Sequence, residues 1–109
     1  MRDDRERILD ILEAVSRIEE YTDKGKGAFL EDPLVQVWVI HHLEIMGEAV
    51  KGLSCDFLDH HPSVPWADLI GMRNVLVHRY FGIDKELVWK VVEKDLPSLK
   101  RYLNSLKGE

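Results

Sequence analysis

The fold is decided by residues 66–80, WADLIGMRNVLVHRY. The apolar side chains of this stretch recur at the three- and four-residue spacing of a helix face that packs on a core. They are Trp66, Leu69, Ile70, Leu76, Val77 and Tyr80. The run at 75–77 could suggest a strand, but the helical spacing covers the whole stretch and predicts one helix from Trp66 to Tyr80. Arg73 falls within the apolar face, where a guanidinium is costly unless it is paired or faces a pocket.

Three further polar residues accompany Arg73 on this helix. Asn74 and His78 are four residues apart and therefore neighbours on an adjoining strip, and Tyr80 lies two turns along from Arg73. Guanidinium, amide, imidazole and phenol groups are together sufficient to bind and process a phosphate. The cluster is therefore the candidate functional site.

A purely structural interpretation of the same residues stays open. Arg73 could pair with a buried carboxylate such as Glu44 or Glu48, and His78 could be a hydrogen-bonded core histidine. Because several polar groups converge here rather than one, a functional role and a structural role are about equally favoured.

The rest of the chain also has helical patterns. A first amphipathic helix is predicted from Asp3 to Thr22 and is followed by a glycine- and lysine-containing turn at 23–27. A second helix begins at Asp32-Pro33, a cap followed by proline at the first helical position, and continues to about Gly52. It is apolar nearly all round, which predicts that it is the most central helix.

The C-terminal half continues this pattern. The sequence of residues 54–60 predicts a short helix or an extension of the second one. Residues 60–65 are predicted to form a rigid loop whose two histidines face solvent. Gly82 is expected to end the third helix, Asp84 to cap a fourth, and Pro97 to kink or restart it. With no repeats and no strand pair, the chain is predicted to be a single all-α domain over 1–109, an up-and-down bundle of four to five helices.

The second helix carries a possible metal-binding set. His41, Glu44 and Glu48 share one face, a spacing that could hold a metal ion. Carboxylates and imidazoles that pair within or between helices are the more frequent cause of such a pattern. No metal site is therefore predicted.

Composition restricts the class of protein. The chain of 109 residues is 45% hydrophobic and 32% charged, which excludes disorder. The single Cys55 cannot form an internal disulfide, so a reducing compartment is expected. Residues 1–7 lack the apolar segment of a signal peptide, and the oily run 34–43 is too short to span a bilayer. A cytoplasmic protein without membrane contact is expected.

Charge is distributed unevenly along the chain. The net charge of −5 gives no overall attraction to nucleic acid. Residues 1–70 hold 7 Lys and Arg against 15 Asp and Glu, whereas residues 71–109 hold 8 against 5. The segment with Arg73 and His78 is therefore the basic one, which is compatible with a local anion site.

Arg73-x4-His78-x-Tyr80 resembles the R-x4-H-x-Y motif of HepT-like proteins, a branch of the HEPN superfamily. The similarity extends over most of 29–103 and includes 29–32, 43–49, 65–66, 70–74, 80–84 and 88–89. The pair His41-His42 departs from the family, in which arginine or asparagine is frequent there.

This resemblance implies an HEPN-like bundle with the activity of a metal-independent endoribonuclease, the toxin of a toxin–antitoxin pair. The implied antitoxin is a minimal nucleotidyltransferase that transfers AMP from ATP to Tyr80. ATP would serve only that partner enzyme, and the chain itself would need no cofactor. Members of the family form homodimers in which the two motif helices build one composite cleft, with RNA as substrate.

The chemistry of the residues agrees with these roles. RNA carries its own nucleophile, the 2′-hydroxyl, so cleavage needs proton transfer and anion stabilisation. His78 can transfer a proton near neutral pH, and Arg73 can hold the phosphate bidentately. Asn74 could orient the imidazole or contact the phosphate. An AMP group on Tyr80 would block RNA sterically and by charge.

Two other functions remain compatible with the sequence. The chain could be a non-catalytic subunit that binds a nucleotide or a nucleotidyltransferase. It could also be a structural helical dimer in which Arg73 and His78 only satisfy buried carboxylates.

Overall fold

The computed structural model describes residues 3–78 and 84–107, and in these ranges it is helical without strands. The elements are α1 (Asp4–Thr22), α2 (Lys26–Glu31), α3 (Pro33–Lys51), α4 (Cys55–His60), α5 (Trp66–His78) and α6 (Lys85–Lys90), then a π-helical segment (Val91–Asp95) that leads directly into α7 (Leu96–Lys107). The predicted all-α bundle is confirmed. The predicted helix end near Gly82 lies outside the described residues.

Helix α1 forms where its apolar pattern predicts it. Asp3 caps it by accepting a hydrogen bond from the Glu6 backbone N–H at 2.9 Å. Its buried side chains face α3, and the Trp38 indole N–H donates to the Arg17 carbonyl across this contact at 2.7 Å. The two helices form the main layer of the core.

Helix α2 was not predicted. The turn expected at 23–27 ends early, because Gly25 adopts a φ of 94° and Lys26 already begins a helical turn. Phe29 is buried, and the amide nitrogen of Gln36 donates to the carbonyls of Phe29 and Leu30 at 2.9 and 3.0 Å. A six-residue helix is too short to show a periodicity, so its stability comes from these tertiary contacts.

Helix α3 begins and ends close to the predicted residues. The Asp32 carboxylate accepts from the backbone N–H groups of Leu34 and Val35, and Pro33 occupies the first turn. The prediction that this helix is central holds for one face only. The opposite face exposes Leu34, Val37 and Ile45 to solvent.

The loop before α5 differs from the prediction that both of its histidines face solvent. His60 is exposed, but His61 is half-buried and its Nδ1 lies 2.6 Å from the Tyr102 hydroxyl. Tyr102 is 41 residues away along the chain, so the local sequence could not predict this contact.

Pro97 perturbs the last helix, as predicted, and the perturbation is a π-helical segment. Pro97 has no N–H to donate to the carbonyl of Glu93, and its ring crowds that carbonyl. The backbone widens by one residue there, and the Leu96 N–H donates to the carbonyl of Val91. Within the described ranges, no helix is both long and apolar enough to cross a membrane.

Candidate active site on helix α5

The start of α5 is firmly anchored. Trp66 and Leu69 are buried, and the Trp66 indole N–H donates to the His61 carbonyl at 2.8 Å. His61 in turn packs on the Phe57 ring, with centroids 4.5 Å apart, and contacts Tyr102 of α7. Helix α5 also packs against α3. The first half of the motif helix is therefore fixed to α3, to α4 and to the chain's last helix.

Three of the four predicted site residues lie on the second half of α5. Arg73, Asn74 and His78 all belong to this helix, and their side chains lie outside the described part of the structure. Tyr80 falls in 79–83, also outside the described residues. The structure therefore describes only the helical backbone of Arg73, Asn74 and His78.

The helical register separates these residues into two strips. At about 100° per residue, Arg73 falls on the same strip as Trp66, Leu69 and Ile70, of which the first two are buried. Asn74 and His78 fall on a flanking strip that begins at Gly71. Gly71 is exposed, and a Cβ placed there would meet no atom within 4 Å. The strip of His78 therefore starts on an open side of the helix.

The two carboxylates proposed as structural partners of Arg73 are not buried. Glu44 is half-buried and Glu48 is exposed on α3. Neither residue is therefore one of the buried carboxylates that the structural interpretation assumed.

No metal-binding cluster is found within the described ranges, where no three His, Cys, Asp or Glu side chains are arranged to hold an ion. His41 instead makes an edge-on contact with His42, and the Nδ1–H of His42 donates a hydrogen bond to the Trp38 carbonyl at 2.8 Å. Between α2 and α6, the Lys26 ammonium binds the Glu86 carboxylate at 2.7 Å, and this hydrogen bond and the charge of Glu86 raise the pKa of Lys26 above its usual value.

Sequence reasoning missed a cavity of about 230 Å³ between the loop before α5 and the last helix. Pro65 and Leu69 form its α5 side, and Asp95 and Tyr102 contribute a carboxylate and a phenol from the other side. The two sides are about 30 positions apart in sequence, and they meet because the π-helical segment and α7 pack next to the start of α5. The local sequence therefore could not predict this cavity. Among the described residues, its α5 side belongs to the anchored half of that helix.

Comparison with known proteins gives a consistent result. The sequence profile described as "Ribonuclease HepT-like" matches residues 11–106. A Methanocaldococcus jannaschii protein named "Putative RNase MJ1380" is 41% identical over 101 residues, which cover 92% of this chain and 93% of that protein. A Thermococcus cleftensis protein named "Probable ribonuclease HepT" is 42% identical over 107 residues and 97% of each chain. No solved structure matches the chain.

Proposed function

The chain belongs to the HepT-like ribonuclease family, and from that premise we propose that it is a metal-independent endoribonuclease whose site is built by Arg73, Asn74 and His78. The observation that carries the proposal is the family match over 11–106, which includes the motif Arg73-x4-His78-x-Tyr80 on and just after α5. We further propose that it acts as the toxin of a toxin–antitoxin pair.

Helix geometry supports an active form with two copies of the chain. Arg73 and His78 are five residues apart, so their positions differ by about 140° around α5 and about 7.5 Å along it. On one helix the two residues therefore occupy positions on different sides of the helix axis. A second copy facing the first would supply an imidazole from the opposite side of a bound phosphate.

The proposed reaction uses the ribose hydroxyl as the nucleophile. The 2′-oxygen attacks the adjacent phosphorus while His78 of one protomer accepts its proton. The bond from phosphorus to the 5′-oxygen breaks, and a protonated His78 of the second protomer donates a proton to that leaving oxygen. A 2′,3′-cyclic phosphate and a free 5′-hydroxyl result. Arg73 stabilises the charge that develops on the phosphate, and Asn74 orients the imidazole.

Regulation is proposed to act through Tyr80. A minimal nucleotidyltransferase would transfer AMP from ATP to the phenol oxygen and release pyrophosphate. Because Tyr80 follows the motif helix by two residues, the bulky anionic group would stand near the cleft and repel RNA. Incubation with ATP and such a transferase should add the mass of one AMP group to the wild type and none to Tyr80→Phe.

An RNA-cleavage assay with EDTA present tests the central proposal. The wild type should cut a mixed-sequence single-stranded RNA, and both His78→Ala and Arg73→Ala should lower the rate by at least about 100-fold. His60→Ala is the matched control, since His60 is exposed and lies outside α5. Activity that disappears with EDTA and returns with a divalent cation would contradict metal independence.

Thermal unfolding of the same variants separates catalysis from structure. Residues kept for catalysis are nearly neutral or stabilising to remove, whereas residues kept for core pairing are strongly destabilising. We expect His78→Ala to unfold within a few degrees of the wild type. A folded wild type that binds the transferase and cuts no RNA would instead favour a non-catalytic binding subunit, which the net charge of −5 makes the second candidate.

A further inference from the structure

The cavity between the loop before α5 and the last helix combines apolar walls with a carboxylate. Leu69 of α5 and Leu99 of α7 are buried and line its two sides, and Pro65 extends the apolar lining at the start of α5. Asp95 and Ser63, which are exposed, add a carboxylate and a hydroxyl. We call the space between these five residues the α5–α7 cavity.

The far side of the cavity is one face of the π-helical segment and α7. Its residues follow the spacing of a single helix face, and they are Asp95, Ser98, Leu99 and Tyr102. Asp95 ends the π-helical segment, whose wider turn sets which side of α7 this face occupies. On the loop side, the Nδ1 of His61 lies 2.6 Å from the Tyr102 hydroxyl and holds the phenol in place. A cavity held in this way is formed before a ligand arrives, which lowers the entropy cost of binding.

The size and the charge of the cavity restrict its occupant. Its volume of about 230 Å³ is several times the roughly 30 Å³ of one water and below the roughly 300–1,000 Å³ of pockets that enclose whole small molecules. The Asp95 carboxylate repels a phosphate group. A flat, uncharged heterocycle meets both conditions, because apolar walls can cover its faces while the carboxylate accepts from donors at its edge.

We propose that the α5–α7 cavity holds one guanine base of the RNA substrate and that Asp95 is the residue that selects it. The Watson–Crick edge of guanine carries two adjacent donors, N1–H and the N2 amino group, which the two oxygens of one carboxylate can accept. Adenine and cytosine have a ring acceptor beside their amino group, and uracil has an N–H between two carbonyls. Each of these three bases therefore places a lone pair against the carboxylate, which disfavours its binding. The Ser63 hydroxyl can donate to the guanine O6 at the same edge.

This inference rests on the proposed function, because it requires that RNA lies along α5. Arg73 follows Leu69 by four residues, so its backbone lies about 6 Å farther along the same strip of the helix. A nucleotide whose base occupies the cavity can therefore place its phosphate beside the turn of α5 that carries Arg73. We expect cleavage at the bond next to this guanosine.

Cleavage of matched RNAs tests the choice of base. The substrates are uridine RNAs of equal length that carry one central guanosine, inosine, adenosine or cytidine, and EDTA is present throughout. The wild type should cut next to guanosine at least about 10-fold faster than next to adenosine, cytidine or uridine at the same position. Inosine lacks only the N2 amino group of guanosine, so the bond next to it should be cut several-fold more slowly than the bond next to guanosine.

Asp95→Asn tests the residue. An amide presents one acceptor and one donor instead of two acceptors, so the cleavage rates at guanosine and inosine should become equal within about twofold. Asp59→Asn is the matched control, since Asp59 is exposed on α4 and the substitution changes the net charge equally. This control should keep the wild-type ratio of the two rates. Because the ratio compares two substrates with the same variant, a general loss of activity does not change it.

Binding of free guanosine is a measurement that does not depend on cleavage. In an NMR titration of the wild type, guanosine should shift the amide signals of residues 63–69 and 95–102, whereas uridine at the same concentration should not. Asp95→Asn should bind guanosine at least about 10-fold more weakly.

The outcomes distinguish this inference from the proposed function. RNA cleavage without a guanosine preference, or with a preference that Asp95→Asn leaves unchanged, would overturn the guanine site and leave the ribonuclease standing. A preference for adenosine or cytidine that depends on Asp95 would overturn the choice of guanine. A wild type that cuts no RNA but binds guanosine through Asp95 would support the guanine site and overturn the ribonuclease.

Discussion

Ser54 shows how one small side chain can fix the approach of two helices. Its backbone N–H and its hydroxyl donate to the two Asp4 carboxylate oxygens at 2.7 and 2.6 Å, which ties the start of α1 to the start of α4. The same hydroxyl accepts from the Phe57 backbone N–H at 3.1 Å and so caps α4. Three hydrogen bonds at the bundle's end therefore depend on this residue or its backbone.

Ser54→Ala should lower the free energy of unfolding by about 1–2 kcal/mol, since it removes both the cap and one bond to Asp4. Urea denaturation followed by circular dichroism measures this change. Ser16→Ala, at an exposed position within α1, is the control and should change stability by less than about 0.5 kcal/mol. Equal effects of the two substitutions would mean that the Ser54 network contributes nothing.

Residues that act on their immediate neighbours were predictable from the sequence. Asp32 and Asp84 cap helices as expected, because a cap needs only a short polar side chain two or three residues before the N–H groups it accepts from. His61 was not predictable, since its partner Tyr102 comes from another helix. Arg73, Asn74 and His78 were identified because polar groups stand out on an apolar helix, and their roles stay predictions.

At the scale of elements, α2 was missed because the contacts that hold it lie outside its own sequence. Its last carbonyls are satisfied by Gln36, which is on α3 and only 7% exposed. Lys26 joins α2 to α6 through Glu86. A short helix held in this way leaves no periodic pattern, whereas long amphipathic helices such as α1 show one clearly.

Gln36→Leu should lower the free energy of unfolding by about 2 kcal/mol, because two carbonyls of α2 lose the hydrogen bonds that the buried Gln36 amide donates. Hydrogen exchange should show the loss of protection concentrated in 26–31, and urea denaturation gives its size. Lys26→Ala is the comparison variant. It removes only an exposed ion pair, so its effect should stay below about 1 kcal/mol.

Were Lys26→Ala to destabilise the protein more than Gln36→Leu, surface charge rather than the buried amide would hold α2 in place.

Helix α3 shows a different limit of prediction from sequence. Its apolar composition predicted a central helix, yet one chain covers only one of its faces. The sequence shows how apolar a helix face is, but it does not show whether the same chain or another chain covers that face.

At the scale of the whole molecule, the proposed mechanism makes activity depend on both copies at once. If one His78 accepts the proton and the other donates one, a dimer with a single His78 is inactive. Wild type is mixed with an equal amount of His78→Ala and left to exchange subunits at random. Only about one quarter of the dimers then contain two wild-type copies, so the mixture should show about one quarter of the activity of unmixed wild type at the same total protein concentration.

Independent sites would give a different value, about one half, because each wild-type subunit would keep its own rate. The measurement is the initial rate of RNA cleavage across a series of mixing ratios at constant total protein, with His60→Ala in place of His78→Ala as the control mixture. A linear decline with the His78→Ala fraction would refute the shared cleft, and a quadratic decline would support it.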